Sequence, residues 1–210
     1  MGLRELKKQQ MRERIAAAAW RMFGERGFER VTVVDVAREA GVSEATVFNY
    51  FPGKEDLFYS RLESFGERLV EAVRTRAPGD SALTAFRRQL LDSAGLLTRV
   101  EDGDAAALAQ LRTVNRVIAD SPALRARERR AFTDCADALA GVLAEGSDPP
   151  YDDFTAQVVA HALVGVHRAL VAHVRHRVLS DEDPTGLTAD VQRLAERAFA
   201  LLEKGMGEPE

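Results

Sequence analysis

Cysteine is almost absent from this sequence, and neither β-strand patterns nor long apolar runs are prominent. The one cysteine, Cys135, excludes an internal disulfide and a multi-thiolate metal site, as is usual in cytosolic proteins. No uninterrupted apolar stretch reaches the roughly 18–20 residues that a membrane-spanning helix needs. The basic N-terminal segment MGLRELKKQQMRER is not followed by an apolar run, so it does not have the pattern of a secretory signal. We therefore expect a cytoplasmic protein with no membrane partner.

Charge is distributed unevenly along the 210 residues, whose formal net charge is −4. Residues 1–30 hold eight Lys/Arg against four Asp/Glu, whereas residues 61–210 hold 19 against 24. Affinity for phosphates depends on the local field and not on the total charge. The asymmetry therefore permits a nucleic-acid contact near the N-terminus without proving one.

Helical periodicity runs through nearly the whole chain, which predicts an all-α protein of about nine helices. Gly27 is expected to cap the first helix, and Thr32 and Asp35 form an N-cap signature for a second, short helix that runs through Ala40. A third short helix follows Ser43. Six longer helices are expected at about 54–76, 81–100, 104–119, 122–145, 152–179 and 187–203.

The pattern predicts two domains. Residues 1–58 are expected to form a compact three-helix head. Residues 59–210 are expected to form a larger helical domain. The helix that begins at Lys54 would link the two.

The stretch GVSEATVFNYFPGKEDL, residues 41–57, has the residues that a sharp turn between two helices requires. Gly41 stands where the first helix ends, in a left-handed conformation that costs other residues about 1 kcal/mol or more. Ala37 is small enough for the next helix to approach closely, and Ser43 can cap that helix by accepting from a backbone N–H. The apolar contacts that fix the interhelical angle are expected from Val36, Ala40, Val42, Val47 and Tyr50. These features predict a helix-turn-helix.

The second helix of this pair is short, and its outward side carries small and amide side chains that suit base edges and the thymine methyl group in a major groove. Thr32, Tyr50 and Lys54 flank it at positions suited to phosphates. The predicted DNA-binding residues are Thr32, Ser43, Glu44, Ala45, Thr46, Phe48, Asn49, Tyr50 and Lys54. A helical hairpin in an α-bundle, with Gly41 as a simple C-cap, is the alternative.

The spacing of these residues resembles the DNA-binding domain of the TetR family of transcriptional regulators. The matching positions are Ile15, Ala18, Ala19, Phe23, Gly27, Phe28, Thr32, Val33, Val36, Ala37, Ala40, Gly41, Val42, Ser43, Thr46, Val47, Phe48, Asn49, Tyr50, Phe51, Pro52, Lys54 and Leu57. The resemblance implies a homodimeric repressor that binds a palindromic operator in double-stranded DNA. The three-helix head does not need the roughly 150 further residues of the chain to bind DNA, so residues 59–210 are expected to serve dimerisation and the binding of an unknown small-molecule effector. It also implies phosphate contacts by Thr32, Tyr50 and Lys54.

Three residues depart from the family's usual pattern. Phe48 stands where the family usually has tyrosine, so a hydroxyl–phosphate bond is replaced by an apolar or stacking contact. Glu44 helps the dipole of its helix but repels phosphates, unless it accepts from a cytosine amino group. Val34 stands where a polar residue is usual. These departures leave the operator sequence open.

Two helices in the C-terminal part have faces that suit a dimer interface. In helix 152–179 the small residues lie along one side, and helix 187–203 carries an amphipathic stripe. In the TetR family the last two long helices form a four-helix dimer interface. The predicted interface residues are Ala162, Gly165, Ala169, Ala172, Leu194, Ala198 and Leu202. Both stripes could equally belong to the intramolecular core.

Polar residues within apolar stripes are the candidates for an effector pocket. Asn115 is in register with Leu108, Leu111 and Ile118, so it is expected to face inward. The predicted pocket residues are Arg112, Asn115, Arg116, Cys135 and His161. Each of these residues would also serve as an ordinary core or dimer contact.

The sequence offers little for metal binding or catalysis. The four histidines include no i,i+4 pair, and the segment HVRHR, residues 173–177, is expected to be a solvated or interface edge. No nucleophile motif, P-loop or dinucleotide-binding motif occurs. We expect no metal, no cofactor and no catalytic residue. The alternatives to a ligand-released repressor are an activator or ligand-independent regulator of the same fold, a helical protein-interaction module, and an enzyme whose site forms only on folding.

Overall fold

The computed structural model describes residues 2–60, 64–92, 95–146, 151–180 and 186–205. Within these ranges the chain forms eleven α-helices and no strand, so the all-α prediction is confirmed. The helices are α1 (Leu3–Arg26), α2 (Val33–Glu39), α3 (Glu44–Tyr50), α4 (Lys54–Tyr59), α5 (Ser64–Arg74), α6 (Ala82–Asp92), α7 (Gly95–Glu101), α8 (Ala105–Asp120), α9 (Pro122–Gly146), α10 (Asp153–Leu179) and α11 (Leu187–Gly205).

Two of the expected helices each correspond to two described helices. The helix predicted at about 54–76 corresponds to α4 and α5, and the one at 81–100 corresponds to α6 and α7. Residues 61–63 and 93–94, between the members of each pair, lie outside the described residues. The predicted linking helix from Lys54 therefore ends, as described, at Tyr59.

The chain divides into two compact units. The first contains residues 1–64 together with residues 116–127, and the second contains residues 65–115 and 128–210. The end of α8 and the start of α9 thus group with the N-terminal helices, which the predicted division at residue 58 did not include.

Aromatic packing forms the centre of the first unit. The rings of Trp20 and Phe58 are stacked with centroids 4.9 Å apart, and the Trp20 indole N–H donates to the Phe58 carbonyl at 2.9 Å. Phe23 and Phe28 contact Phe58 at tilted or edge-on angles, which are favoured geometries for aromatic rings. Phe23 and Phe58 are at most 1% exposed, so this cluster is the apolar core on which α1 and α4 pack.

Two hydrogen bonds hold residues 116–127 in this unit. The buried Tyr59 hydroxyl donates to the Leu124 carbonyl at 3.0 Å. The Ser121 hydroxyl donates to a Glu29 carboxylate oxygen at 2.6 Å and also accepts from the Leu124 N–H, which caps the start of α9. The Tyr59–Leu124 and Ser121–Glu29 pairs are separated by 65 and 92 residues, so no local sequence pattern predicts them.

The second unit is built around α10. Eight residues of this helix are buried, and it packs most extensively against α11. The length of α10 and a mean hydropathy of 1.3 would allow it to cross a membrane. Buried core helices of soluble proteins often have the same length and hydropathy, so these two features are weak evidence for a membrane span. His161, His167 and Arg168 interrupt its apolar residues, consistent with the absence of a long apolar run in the sequence.

Candidate nucleic-acid interface

The turn between α2 and α3 has the hydrogen bonds of a glycine-terminated helix. The Val42 N–H donates to the Ala37 carbonyl at 2.9 Å, and the Gly41 N–H donates to the Arg38 carbonyl at 3.2 Å. Together these two bonds form a Schellman motif. Gly41 has φ +63°, which a residue with a side chain adopts only with strain. The role predicted for Gly41 is therefore confirmed.

Thr32 and Asp35 form a capping box at the start of α2, as predicted. The Thr32 hydroxyl donates to the Asp35 carboxylate at 2.6 Å and accepts from the Asp35 N–H at 3.1 Å. The Asp35 carboxylate also accepts from the Thr32 N–H. These hydrogen bonds from Thr32 lower the pKa of Asp35. The cap fixes Thr32 as an exposed residue at a helix start, where backbone N–H groups favour phosphates.

Ser43 caps α3 in the predicted way. Its hydroxyl accepts from the Thr46 N–H at 3.1 Å and shares a second hydrogen bond with the Thr46 hydroxyl at 2.7 Å. Thr46 is half-buried, so its methyl group and this shared hydroxyl are what it can offer to DNA. Val47 is 1% exposed and anchors the opposite side of the helix in the core.

The outward side of α3 carries Glu44, Ala45, Phe48 and Asn49, all of them exposed. Phe48 is 47% exposed although it is a large apolar residue. These exposed side chains keep the predicted role of contacting base edges in a major groove, which stays a prediction. Val34 of α2, the third departure from the family pattern, is also exposed, at 45%.

The half-buried Lys54 side chain contacts Phe28 and Glu29, which follow α1. Its ammonium nitrogen is 4.2 Å from the centroid of the Phe28 ring and donates to the Glu29 carbonyl at 3.5 Å. Partial burial lowers the pKa of Lys54, and Glu29 and Glu55 act in the opposite direction. Tyr50 is half-buried at the end of α3. A cation–π contact of this kind is worth about 0.5–1 kcal/mol, so it would not keep Lys54 from a phosphate.

Replacing Lys54 with alanine is expected to weaken binding to all DNA sequences alike. One phosphate contact contributes about one unit to the slope of log K against log salt, so that slope should become shallower by about one.

The Asn49→Ala substitution should instead weaken binding to the operator alone, by about 1–3 kcal/mol of binding free energy. Fluorescence anisotropy at several salt concentrations measures both quantities, and Lys204→Ala, in α11, is the control. An unchanged slope for Lys54→Ala would remove its phosphate role.

The predicted effector residues do not form one group. Asn115 is 6% exposed and faces inward as expected. Arg112 and Cys135 are half-buried in the same unit. Arg116 is exposed and belongs to the first unit, and His161 lies on the exposed side of α10. The apolar stripe of α10 is broad, which is why the sequence pattern placed His161 too close to it.

Asn115 takes part in a polar network that the sequence did not reveal. Its amide donates to the Leu111 carbonyl at 2.9 Å, and its carbonyl oxygen accepts from the Arg175 guanidinium at 3.2 Å. Arg175 also donates twice to the Glu128 carboxylate, at 2.9 and 2.5 Å. The expected solvated or interface edge at residues 173–177 is therefore wrong in its solvated form for Arg175, and the interface form stays a prediction. Arg175 and Glu128 are 19% and 17% exposed as side chains.

A second inward group surrounds His167. Its ring lies 4.8 Å from the Phe65 ring and 5.2 Å from the Phe132 ring, measured between centroids. Burial lowers the pKa of His167 to about 4. The nearby α9 residue Cys135 has its sulfur 3.8 Å from the Gly66 carbonyl, and burial raises the pKa of this thiol to about 11. Both groups are therefore neutral at pH 7.

The predicted dimer residues divide into two sets. Ala169 and Ala172 are exposed, and Ala162 and Gly165 are half-buried. On α11, three half-buried residues pack against the core of their own unit; these are Leu194, Ala198 and Leu202. Three large apolar side chains on α10 and α11 that the sequence reading did not single out are strongly exposed. They are Phe154 at 78%, Val158 at 52% and Leu201 at 71%.

No group of three or more His, Cys, Asp or Glu side chains with the spacing of a metal site occurs in the described part of the chain.

Two protein-family models match this chain. The model of bacterial regulatory proteins of the TetR family matches residues 15–60, and the model of the MftR C-terminal domain matches residues 89–207. The HTH-type transcriptional regulator TcmR of Streptomyces glaucescens is 28% identical over 177 residues, which cover 80% of this chain and 75% of TcmR. MftR of Mycobacterium tuberculosis is 25% identical over 185 residues, which cover 84% of this chain and 86% of MftR.

Solved structures have the same fold. NalD of Pseudomonas aeruginosa, the secondary repressor of a multidrug efflux pump, superposes with a TM-score of 0.58 at 20% identity, covering 91% of this chain and 96% of NalD. Thermus thermophilus FadR, a TetR-family repressor in complex with lauroyl-CoA, superposes with a TM-score of 0.53 at 24% identity, covering 95% and 96%. The family models together span residues 15–60 and 89–207. The chain belongs to the TetR family of bacterial regulatory proteins and is a DNA-binding transcriptional regulator.

Proposed function

We propose that this protein is a homodimeric repressor that binds a palindromic operator through α3 and is released by a small-molecule effector. The observation that carries the proposal is the exposed side of α3, held in place by the Schellman turn at Gly41 and the cap at Ser43. The Schellman turn ends α2, and Ser43 caps the start of α3, so the short helix presents Ala45, Phe48 and Asn49 from a fixed position. A DNA duplex admits such a helix in its major groove.

The exposed apolar side of α10 supports dimerisation. Phe154 and Val158 are one turn apart, and Ala162, Gly165 and Ala169 continue along the same side of the helix. Small residues allow two helices to approach closely, and the two large residues would add apolar area to a contact. A palindrome presents two equivalent half-sites, so a two-fold symmetric pair of chains matches it.

Replacing Phe154 with aspartate is therefore expected to shift the protein from dimer to monomer. Operator affinity should fall by about 100-fold or more, because each head then binds without the help of the other. Sedimentation velocity gives the mass, and anisotropy gives the affinity for the full palindrome and for one half-site. Ala109→Asp, an exposed position on α8, adds the same charge and should leave both unchanged. A Phe154→Asp variant that stays dimeric would contradict this interface.

We place the effector in the second unit. Arg112, Asn115 and Cys135 are inward polar groups there, whereas Arg116 belongs to the first unit and His161 is exposed. An effector releases DNA only to the extent that it binds the non-binding conformation more tightly than the binding one. A hydrophobic molecule or an acyl-type anion would suit this unit, and an ordinary helical core would have the same composition. The test is whether a hydrophobic compound or an acyl-type anion, added to the protein–operator complex, lowers the fluorescence anisotropy of the operator duplex.

The alternatives make different predictions. An activator, or a regulator without a ligand, would bind the same operator but differ in its position relative to the promoter. A protein-interaction module would show no ligand-dependent change in DNA binding. The relatives are transcriptional regulators, and we propose no catalytic activity and a cytoplasmic location for this chain. Turnover of a bound small molecule would contradict the proposal that the protein has no catalytic activity.

A further inference from the structure

The first half of α1 extends from the head as a basic helix. Residues 4–10 are all exposed, and only from Ile15 onward does α1 contribute fully buried residues. We call residues 3–14 the N-terminal arm; the family model begins only after it, at residue 15. The arm holds five Lys/Arg against two Asp/Glu. Within the described structure no hydrogen bond or ion pair engages the side chains of Arg4, Lys7 or Lys8.

The helix-turn-helix itself has too little positive charge to hold a polyanion. Residues 31–60 contain two Lys/Arg against five Asp/Glu, and one of the two cations is Lys54, which lies over the Phe28 ring. Phosphate contacts supply most of the non-specific affinity of DNA-binding proteins, so a surplus of cations must lie somewhere near the reading helix. In the first unit the arm has the largest surplus, five Lys/Arg against two Asp/Glu, compared with three against two in residues 15–30 and three against one in residues 116–127.

Three of the cations lie on the side of α1 that faces the rest of the head. Arg4, Lys8 and Arg12 follow one another at four-residue intervals, so they form one stripe along the helix. Lys8 precedes Ile15 by seven residues and Arg12 precedes Ala19 by seven, which places them on the core-facing side of α1. Ile15 and Ala19 are both fully buried. The same side of the helix is therefore apolar over the core and cationic beyond it.

A contact within the head shows where this cationic stripe points. The Arg12 guanidinium carbon lies 4.9 Å from the centroid of the Phe51 ring. Phe51 is the C-cap of α3, the helix that carries the reading surface. The stripe thus continues from the end of the reading helix along the arm. Glu5 is the acidic residue near this side, and its place in the first turn suits the helix dipole.

We propose that the arm is a second DNA-binding element, in which Arg4, Lys8 and Arg12 contact phosphates of the duplex that adjoins each half-site. This inference rests on the proposed operator binding and adds a contact outside the bases that α3 reads. The arm is about 18 Å long at 1.5 Å per residue, which spans roughly five base pairs of duplex. Its contacts add affinity without sequence preference, because they reach only the backbone.

The test compares two double variants with equal charge change. Arg4→Gln with Lys8→Gln removes two cations from the stripe, and Lys7→Gln with Arg14→Gln removes one lysine and one arginine from another side of the same helix. Glutamine is a good helix former, and circular dichroism checks that helix content is retained. The salt dependence of binding is measured by anisotropy on an operator duplex and on a random duplex, each with and without about five flanking base pairs on either side.

The stripe variant is expected to reduce the slope of log K against log salt by about two units per bound protomer on both flanked duplexes. It should also lose the affinity that the flanks confer on the unchanged protein. The Lys7/Arg14 variant should keep the salt slope of the unchanged protein and the affinity gained from the flanking base pairs. Equal slopes for the two variants, or a flank effect that survives the stripe variant, would overturn the inference. Operator binding is tested separately, by whether the unchanged protein prefers the operator duplex to the random one. The salt slopes on the random duplex test the arm alone, because they do not depend on operator recognition.

Discussion

Replacing Glu128 with glutamine is expected to lower the free energy of unfolding by about 2–4 kcal/mol. The change removes the negative partner of Arg175 and leaves its guanidinium charge in a site where the side chain is 19% exposed. Removing one partner of a buried ion pair is costly because the other charge stays desolvated, and the remaining exposure here places the effect below that of a fully buried pair. The Asn115 carbonyl oxygen alone cannot replace a bidentate carboxylate.

Urea denaturation of Glu128→Gln, Arg175→Gln and the double variant measures this network. The double variant should cost less than the two single variants added together, because each single change already breaks the pair. Glu71→Gln is the control: its pair with Arg74 is a single hydrogen bond of 2.8 Å within α5, and both side chains are more than half exposed. Such a surface pair is worth at most about 1 kcal/mol. Equal losses from Glu71→Gln and Glu128→Gln would show that the network is not structural.

Acid is expected to destabilise the protein between about pH 6.5 and pH 4 through His167. The folded protein keeps this ring neutral because burial lowers its pKa to about 4, whereas the unfolded chain takes up a proton near pH 6.5. Unfolding therefore binds a proton in this window, so the stability present above pH 6.5 is lost as the pH falls toward 4. At 1.36 kcal/mol per pKa unit the loss approaches about 3 kcal/mol.

His167→Leu should remove this part of the pH dependence, because no ring then has to be protonated between Phe65 and Phe132. His161→Leu is the control, since His161 lies on the exposed side of the same helix. The free energy of unfolding is measured by urea denaturation at pH 7.5, 6.5, 5.5 and 4.5. If His167→Leu follows the same curve as the unchanged protein, the ring is not held neutral in the folded state.

Local rules made the reading helix predictable from the sequence. The caps at Thr32 and Ser43 and the left-handed Gly41 each depend on residues within four positions, so the residue types alone specify them. The resemblance of residues 15–57 to the TetR family then predicted the kind of regulator, and the family models confirm it.

Long-range pairing could not be predicted in the same way. Arg175 reads as part of a charged segment, and only the approach of α9, 47 positions earlier, makes it an inward ion-pair residue. The position of Lys54 over Phe28 depends on the packing of α4 against α1. The grouping of residues 116–127 with the head rests on Tyr59 and Ser121, whose partners are 65 and 92 residues away. In each case the side chain's role is decided by tertiary contacts and not by periodicity.

The most direct test of operator recognition is fluorescence anisotropy of the purified protein on DNA from its own upstream region. The comparison is a scrambled duplex of equal length and composition, with both duplexes measured at two salt concentrations. We predict tight binding to the upstream duplex that exceeds binding to the scrambled one at both salt concentrations, since base contacts by α3 add to the phosphate contacts. Equal, weak and strongly salt-dependent binding to both duplexes would contradict operator recognition by this protein at that region.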